Sequence, residues 1–215
     1  MVKGFFITAE GGEGAGKTTA LSKVLSMLEA KGWNVVLTRE PGGIRISEKI
    51  RQLILDRDHQ EMDDRTEALL YAAARRQHLI EKVIPALQSG KIVLCDRFVD
   101  SSLVYQGYAR GIGMEAVRSV NDFAIEDCMP DLTLLFDIRP EKGLERIKSN
   151  DAREINRLDL EELEFHKKVY EGYHKVASAY PERIKLIDAD QPEEMVADTT
   201  FAYIERLIKE GGMNK

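Results

Sequence analysis

Eight consecutive residues, Gly11-Gly12-Glu13-Gly14-Ala15-Gly16-Lys17-Thr18, satisfy the pattern GxxxxGK[ST], which builds a backbone loop around phosphate. Its glycines let successive N–H groups curl about an anion at a helix N-terminus, where unpaired amides and the helix dipole favour negative charge. In such a loop Lys17 bridges the β- and γ-phosphates, Thr18 holds magnesium, and Gly11 to Gly16 with Thr19 complete the cradle. A bound nucleoside triphosphate follows. What happens to its γ-phosphate does not, because motors, GTPases and small-molecule kinases share the loop.

Further clusters narrow the chemistry. Cys95-Asp96-Arg97 closes an apolar run and so falls at the carboxyl edge of a sheet, where ligands of open α/β folds bind. Asp96 suits magnesium or its waters, and the planar, permanently charged fork of Arg97 suits a second phosphate. Thr38-Arg39-Glu40-Pro41-Gly42-Gly43 delivers another charged pair to the same edge through a turn. Tyr71 and Arg75 stand at i and i+4 on one helix face, where a ring can lie on a base while a guanidinium reaches its carbonyl. Ser102, Tyr105 and Gln106 repeat that spacing, and the Gln106 amide can read a pyrimidine edge as donor and acceptor. Each cluster alone also fits an ordinary ion pair, turn or helix decoration.

The elements that must position these groups are legible as alternating patterns. Short apolar runs at residues 4–9, 35–38, 92–95, 132–136 and 184–187 read as buried strands, and helical stretches separate them. That alternation predicts an α/β fold with a five-stranded parallel sheet flanked by helices in a single domain. Leu21, Val24, Leu25 and Leu28 give the helix after the phosphate loop its apolar stripe, and Gly32 ends it. A long helix is predicted over residues 63–88, buried through Leu69, Ala73, Ile80, Val83, Ile84 and Leu87, with a kink or early end at Pro85. Further helices fit 115–126, 140–148, 160–179 and 193–209. Residues 149–158 carry charge and amide groups without apolar periodicity and read as a polar lid.

Composition bounds the partners. Across 215 residues the net charge is −6 and the pI near 5.4, so no basic field exists to hold a nucleic-acid backbone. Cys95 and Cys128 lack metal or disulfide spacing, and His59, His78, His166 and His174 lack paired ligand spacing, so no protein-built metal site is expected. The apolar residues 5–7 are too short for a signal segment and no run approaches bilayer length. The expectation is a cytoplasmic chain that binds no membrane.

Taken together, GGEGAGKTT, TREPGG, RTEALLYAAARRQH, CDRFVDSSLVYQGYARGIG, REINRLD and DADQP resemble the thymidylate kinases, specifically the bacterial branch, over nearly the whole chain. The resemblance implies a nucleoside-monophosphate-kinase fold, transfer of the γ-phosphate of ATP to dTMP with magnesium, and a homodimer. It implies that Glu13 contacts the deoxyribose 3′-hydroxyl, that Arg97 binds the dTMP phosphate, and that Arg39 and Glu40 surround the phosphates and magnesium. Tyr71 would stack on thymine, Arg75 and Gln106 would hydrogen-bond the base, Ser102 would assist, and Tyr105 would crowd the 2′ position. Arg51 is a further acceptor-side residue. With an acid at Glu13, the catalytic arginine is expected in the lid, at Arg153 first and Arg157 second, and Arg146 is expected to pack on adenine. The chain departs from the family at Tyr71, where many relatives have phenylalanine, and at Ser47, where the family's turn has glycine. The rival readings are a kinase for another pyrimidine monophosphate and a nucleotide-dependent switch.

Overall fold

The structure, a computed structural model, describes residues 4–149 and 157–212. Five strands, β1 (Phe6–Glu10), β2 (Val35–Arg39), β3 (Ile92–Asp96), β4 (Leu132–Asp137) and β5 (Ile184–Asp188), form one parallel sheet in the order β2-β3-β1-β4-β5. Each strand runs one residue past its apolar run, ending on Glu10, Arg39, Asp96, Asp137 or Asp188. All five therefore bring a charged side chain to the same carboxyl edge. Register pairs Thr8 with Cys95 and with Thr133, which keeps β1 central and wholly buried.

Alternation within the strands divides the core. Ile7, Ala9, Leu94, Leu134 and Phe136 face α1 (Lys17–Ala30) and α9 (Glu193–Glu210), meeting Leu21, Val24, Leu28, Ile204 and Ile208. Phe6, Val93 and Cys95 point to the opposite face, where Leu79, Val83 and Leu87 cover them, and Leu135 meets Val169 and Val176 of α8 (Leu163–Ala179). Strands covered on both faces have no polar face to show, which is why they read as continuous apolar runs.

The long helix departs from a simple rod. It comprises α3 (Asp64–His78), a π-helical turn (Leu79–Val83) and α4 (Ile84–Gln88), with Pro85 in the first turn of α4 where its missing N–H is tolerated. Asp63 caps α3, accepting from the Arg65 and Thr66 amides. The predicted buried stripe is half right. Val83 and Leu87 are buried, whereas Leu69, Ala73 and Ile80 are exposed and α3 buries Glu67, Ala68, Arg75 and His78 instead. Apolar periodicity misleads here because the buried face of α3 packs on a polar site.

Two elements went unforeseen. Helix α2 (Arg45–Leu55) carries Ile46, Ile50, Leu53 and Ile54 at helical spacing between two turn-rich segments, and α5 (Val99–Ser102) continues as a π-helical segment (Leu103–Ala109). Helices α6 (Met114–Ile125) and α7 (Pro140–Lys148) match expectation to within a residue. Helix α8 begins three residues late, after a 3-10 turn at Arg157–Leu160. Among the described residues, no helix is long and apolar enough to cross a membrane.

Candidate active site

The loop between β1 and α1 has the geometry of an anion cradle. Gly14 and Gly16 take left-handed backbone at φ 70° and 80°, and α1 begins at Lys17. A Cβ on Gly14 would lie 2.0 Å from the carbonyl oxygen of Gly143, and one on Gly143 would lie 2.3 Å from that of Glu13. Two glycines thus let α7 lie directly against the loop. Lys17 Nζ donates to the Gly11 and Gly12 carbonyls at 3.1 and 2.9 Å, folded over its own loop. Burial, then the nearby Arg97 charge, lowers its pKa to about 8.

Thr18 Oγ1 donates to Asp96 Oδ2 at 2.5 Å. Asp96 Oδ1 is buried with no hydrogen-bond partner among the described residues. A carboxylate oxygen left this way beside a threonine hydroxyl fits a hydrated divalent cation, so both expected magnesium residues suit that role.

Arg97 stands across the loop from Lys17. Its backbone is left-handed at φ 70°, strain that an arginine tolerates only where its surroundings impose it. Its N–H donates to the Ala9 carbonyl, Nη1 to the Gly11 carbonyl at 3.0 Å and to Tyr173 Oη at 3.1 Å, and Nη2 to Glu13 Oε1 at 2.6 Å. Tyr105 Oη also donates to Glu13, at 3.2 Å, and the Arg97 guanidinium lies 5.1 Å from the Tyr105 ring centroid.

One open cleft of about 1760 Å³ joins these groups to the rest. That exceeds the roughly 300–1,000 Å³ typical of a single small-ligand pocket and suits two nucleotides side by side. Glu13, Gly14, Ala15, Gly16, Lys17, Thr18 and Thr19 line one part with Arg146, and Arg39, Glu40, Arg51, Tyr71, Arg75, Arg97, Ser102, Tyr105 and Gln106 line another. Arg146 Nη1 donates to the Ala189 carbonyl at 2.9 Å, fixing its base against the DADQP segment. Arg39 Nη2 donates to both carboxylate oxygens of Glu48 of α2, at 2.8 and 3.0 Å, and Arg51 Nη1 donates to the Pro41 carbonyl.

Arg75 is almost wholly buried. Its Nε donates to Glu40 Oε2 at 2.7 Å, and Nη1 to Ser102 Oγ at 3.0 Å and to Asn121 Oδ1. The other Glu40 oxygen is 2.8 Å from His78 Nδ1, whose Nε2 pairs with Thr38 Oγ1 at 2.7 Å. Glu40, expected around the phosphates and magnesium, thus has one oxygen committed to Arg75 and the other to His78. Glu40, His78 and Cys95 bring ligand atoms within 4.8 Å of one another, yet both ring nitrogens and both carboxylate oxygens are already paired.

Arg157 is anchored rather than poised. Its Nε donates to the Ile54 carbonyl at 3.0 Å and Nη2 to Glu67 Oε2. Arg153 and the remaining expected lid residues 150–156 lie outside the described residues.

A family model described as thymidylate kinase matches residues 9–199. The chain belongs to the thymidylate kinase family. It is 62% identical over 215 residues to a thymidylate kinase of Oceanobacillus iheyensis, covering 99% of this chain and 96% of that one. It is 61% identical over 208 residues to that of Halalkalibacterium halodurans, covering 96% and 99%. The crystal structure of thymidylate kinase from Ehrlichia chaffeensis matches at a TM-score of 0.75 and 33% identity, covering 94% of this chain and 99% of that chain.

The family's motifs do not announce the layer beneath this site. Glu10, at the end of β1, accepts from the Phe98 amide at 2.8 Å, from Ser101 Oγ at 2.5 Å and from Tyr173 Oη at 3.0 Å. Burial, then the negative Asp100, raises its pKa to about 7 against the opposing Ser101 hydrogen bond. Tyr173 and Ser101 both touch Arg97, so in this thymidylate kinase family member Arg97 rests through them on Glu10. Asn121, Glu48 and Glu67 were equally missed. Nothing in the sequence distinguishes them from surface polar residues on amphipathic helices, except that Glu48 and Glu67 interrupt stretches already flagged for chemistry.

Proposed function

We propose that this chain transfers the γ-phosphate of ATP to dTMP, giving dTDP and ADP, with the phosphate loop as donor site and the Tyr71–Arg75–Gln106 side as acceptor site. The observation that carries the reading is a second fixed cation, Arg97, hydrogen-bonded to the phosphate loop at Gly11 and Glu13 within the same cleft. A switch protein has no use for it. An acceptor phosphate at Arg97 would sit opposite a γ-phosphoryl group at Lys17.

Transfer is then a direct in-line displacement. An oxygen of the dTMP phosphate forms the new bond to the γ-phosphorus as the bond to the β-phosphate oxygen breaks, leaving ADP. The attacking oxygen is already anionic, so no residue needs to remove a proton. Lys17 and the lid arginine, Arg153, neutralise charge on the transferring group, and Arg97 fixes the acceptor. Thr18 and Asp96 would hold magnesium, which shields the polyphosphate charge when bound. Tyr71 supplies a ring for the base, Ser102 supports Arg75, Tyr105 narrows the sugar site beside Glu13, and Arg146 packs on adenine.

We further assign a cytoplasmic homodimer. Leu69 and Ile80 are 57% and 48% exposed, and Phe123 of the adjoining α6 is 89% exposed. Apolar side chains of this size on neighbouring helices suit a face shared by two copies about a twofold axis. Sedimentation of the wild type against Phe123→Asp tests it, and a wild-type monomer would refute it.

The activity is tested by coupled ADP release with dTMP, dUMP, UMP, dCMP, CMP, dGMP and no acceptor. Highest catalytic efficiency with dTMP supports the reading. Preference for another monophosphate would overturn the base assignments, and hydrolysis without transfer would overturn the kinase itself.

A further inference from the structure

Glu67 lies on α3 one turn before Tyr71 and two before Arg75, yet it does not line the cleft and is 1% exposed. Its Oε1 accepts from Gln106 Nε2 at 2.8 Å. Its Oε2 is taken by Arg157, and Arg110 Nη2 lies 3.6 Å from the same oxygen. Arg157 therefore holds this carboxylate in place from behind, with the Arg110 charge nearby but paired to Glu161 at 2.6 Å, and the other oxygen meets the Gln106 amide.

That contact has a chemical consequence. A glutamine can turn either end of its amide toward a ligand, but a carboxylate only accepts. Glu67 thus draws the Gln106 NH₂ away from the cleft and leaves the oxygen as the end that meets a ligand. Arg75 can only donate, and its guanidinium is fixed by Glu40, Ser102 and Asn121. Together they offer one donor and one acceptor. Thymine and uracil present a carbonyl beside a ring N–H, which matches. Cytosine presents an amino group beside an unprotonated ring nitrogen, which opposes both. A site with buried, oriented hydrogen-bonding groups rejects the wrong pattern strongly, because the mismatched groups are left unpaired.

We propose that Glu67 is a positioning residue for base selection: by fixing the orientation of the Gln106 amide it makes the acceptor pocket choose an imide edge over an amino-pyrimidine edge. This rests on the reading that Arg75 and Gln106 face the acceptor base.

The test is a double-mutant cycle on selectivity, read by calorimetry as the ratio of the dCMP to the dTMP dissociation constant. Glu67→Gln puts a group that can donate or accept behind Gln106 and releases its amide to flip. The ratio should fall at least about tenfold. Gln106→Leu should lower it as well, and Glu67→Gln in the Gln106→Leu background should lower it no further. Weakened binding of both nucleotides with the ratio intact would show a purely structural Glu67 and overturn the proposal, as would additive effects in the cycle. A ratio unmoved by Gln106→Leu would instead overturn the base reading on which it rests. If Glu67→Gln does not fold, Glu67→Asp keeps the charge for Arg157 and Arg110 but withdraws the acceptor by one methylene. The ratio must fall there too, and an unchanged value refutes the proposal.

Discussion

Arg97 Nη2 lies 2.6 Å from Glu13 Oε1, so the glycine-rich loop after β1 and the arginine that follows β3 are joined by a charge-assisted hydrogen bond. Glu13 gains a second partner in Tyr105. The distance from the loop to Arg97 is therefore set by a bond rather than by the separation of two loops.

Removing the Glu13 charge should show this. Glu13→Gln keeps the shape but weakens a charge-assisted contact worth about 1.5–3 kcal/mol. The efficiency with dTMP should fall about ten- to a hundredfold with a smaller change in the KM for ATP. Steady-state kinetics with each substrate varied checks it, and a loss confined to ATP would place Glu13 wholly on the donor side.

Arg153→Ala should lower kcat by about three orders of magnitude or more, the range in which a positioned arginine acts on phosphoryl transfer. The dissociation constant of dTMP should stay as in the wild type. Comparable turnover in the variant would remove Arg153 from the transfer step.

Lys17 makes the donor site pH-sensitive. In the free protein its amine is charged below about 8 and neutral above. The kcat/KM for ATP, which reports the free protein, should therefore decline as pH rises through about 8. The kcat at saturating ATP should hold to higher pH, because bound polyphosphate favours the ammonium form. A profile for kcat/KM that is flat from neutral to strongly alkaline pH would contradict this.

Glu10 ties stability to pH in the opposite sense from a salt-bridged carboxylate. The folded chain keeps the Glu10 proton up to about 7, while the unfolded chain releases it near 4.5. Between those values the folded state binds more protons, so acidification stabilises it, by about 3 kcal/mol over the whole window. Glu10→Gln removes this contribution. Denaturant unfolding at both ends of the window should show the wild type gaining more on acidification than the variant, and parallel curves would refute it.

Ser47, where the family has glycine, donates from Oγ to the Ala74 carbonyl at 2.7 Å and is fully buried. It pins α2 to α3. Ser47→Gly should destabilise by about 1–2 kcal/mol through the lost hydrogen bond and the looser helix, without altering turnover. A midpoint shift in chemical denaturation at unchanged kcat is the expected result.

The inner strands were legible because they are buried on both faces, so the apolar runs at residues 4–9, 92–95 and 132–136 carry their own signal, while the half-covered edge strands at 35–38 and 184–187 still read through their β-branched and leucine residues. Several groups that line the cleft were legible for a different reason. Asp96 and Arg97 stand at a strand end and Lys17 closes the loop after another, and loops at strand ends are where chemistry is displayed. What stayed hidden is the buried polar scaffold. Glu10, Glu67, His78 and Asn121 sit at positions that periodicity assigns to either a core or a solvent face, and each is satisfied by a partner far along the chain. Leu69 and Ile80 misled for the mirror reason: they are apolar but not covered within the chain.

Of the π-helical stretches, Leu79–Val83 covers the sheet and Leu103–Ala109 contributes Tyr105 and Gln106 to the cleft. Each holds an extra residue per turn, which advances everything after it by about 100° about the helix axis relative to a regular helix. In hereditary terms these stretches are where the chain can lose a letter and keep its sense. Loss of a single codon within Leu79–Val83 lets that turn close as a regular helix with Leu87 still on the sheet, whereas the same loss within the regular α3 rotates every later side chain off its face. Changes of length in this lineage are thus expected at the π-helical turn before they appear within α3.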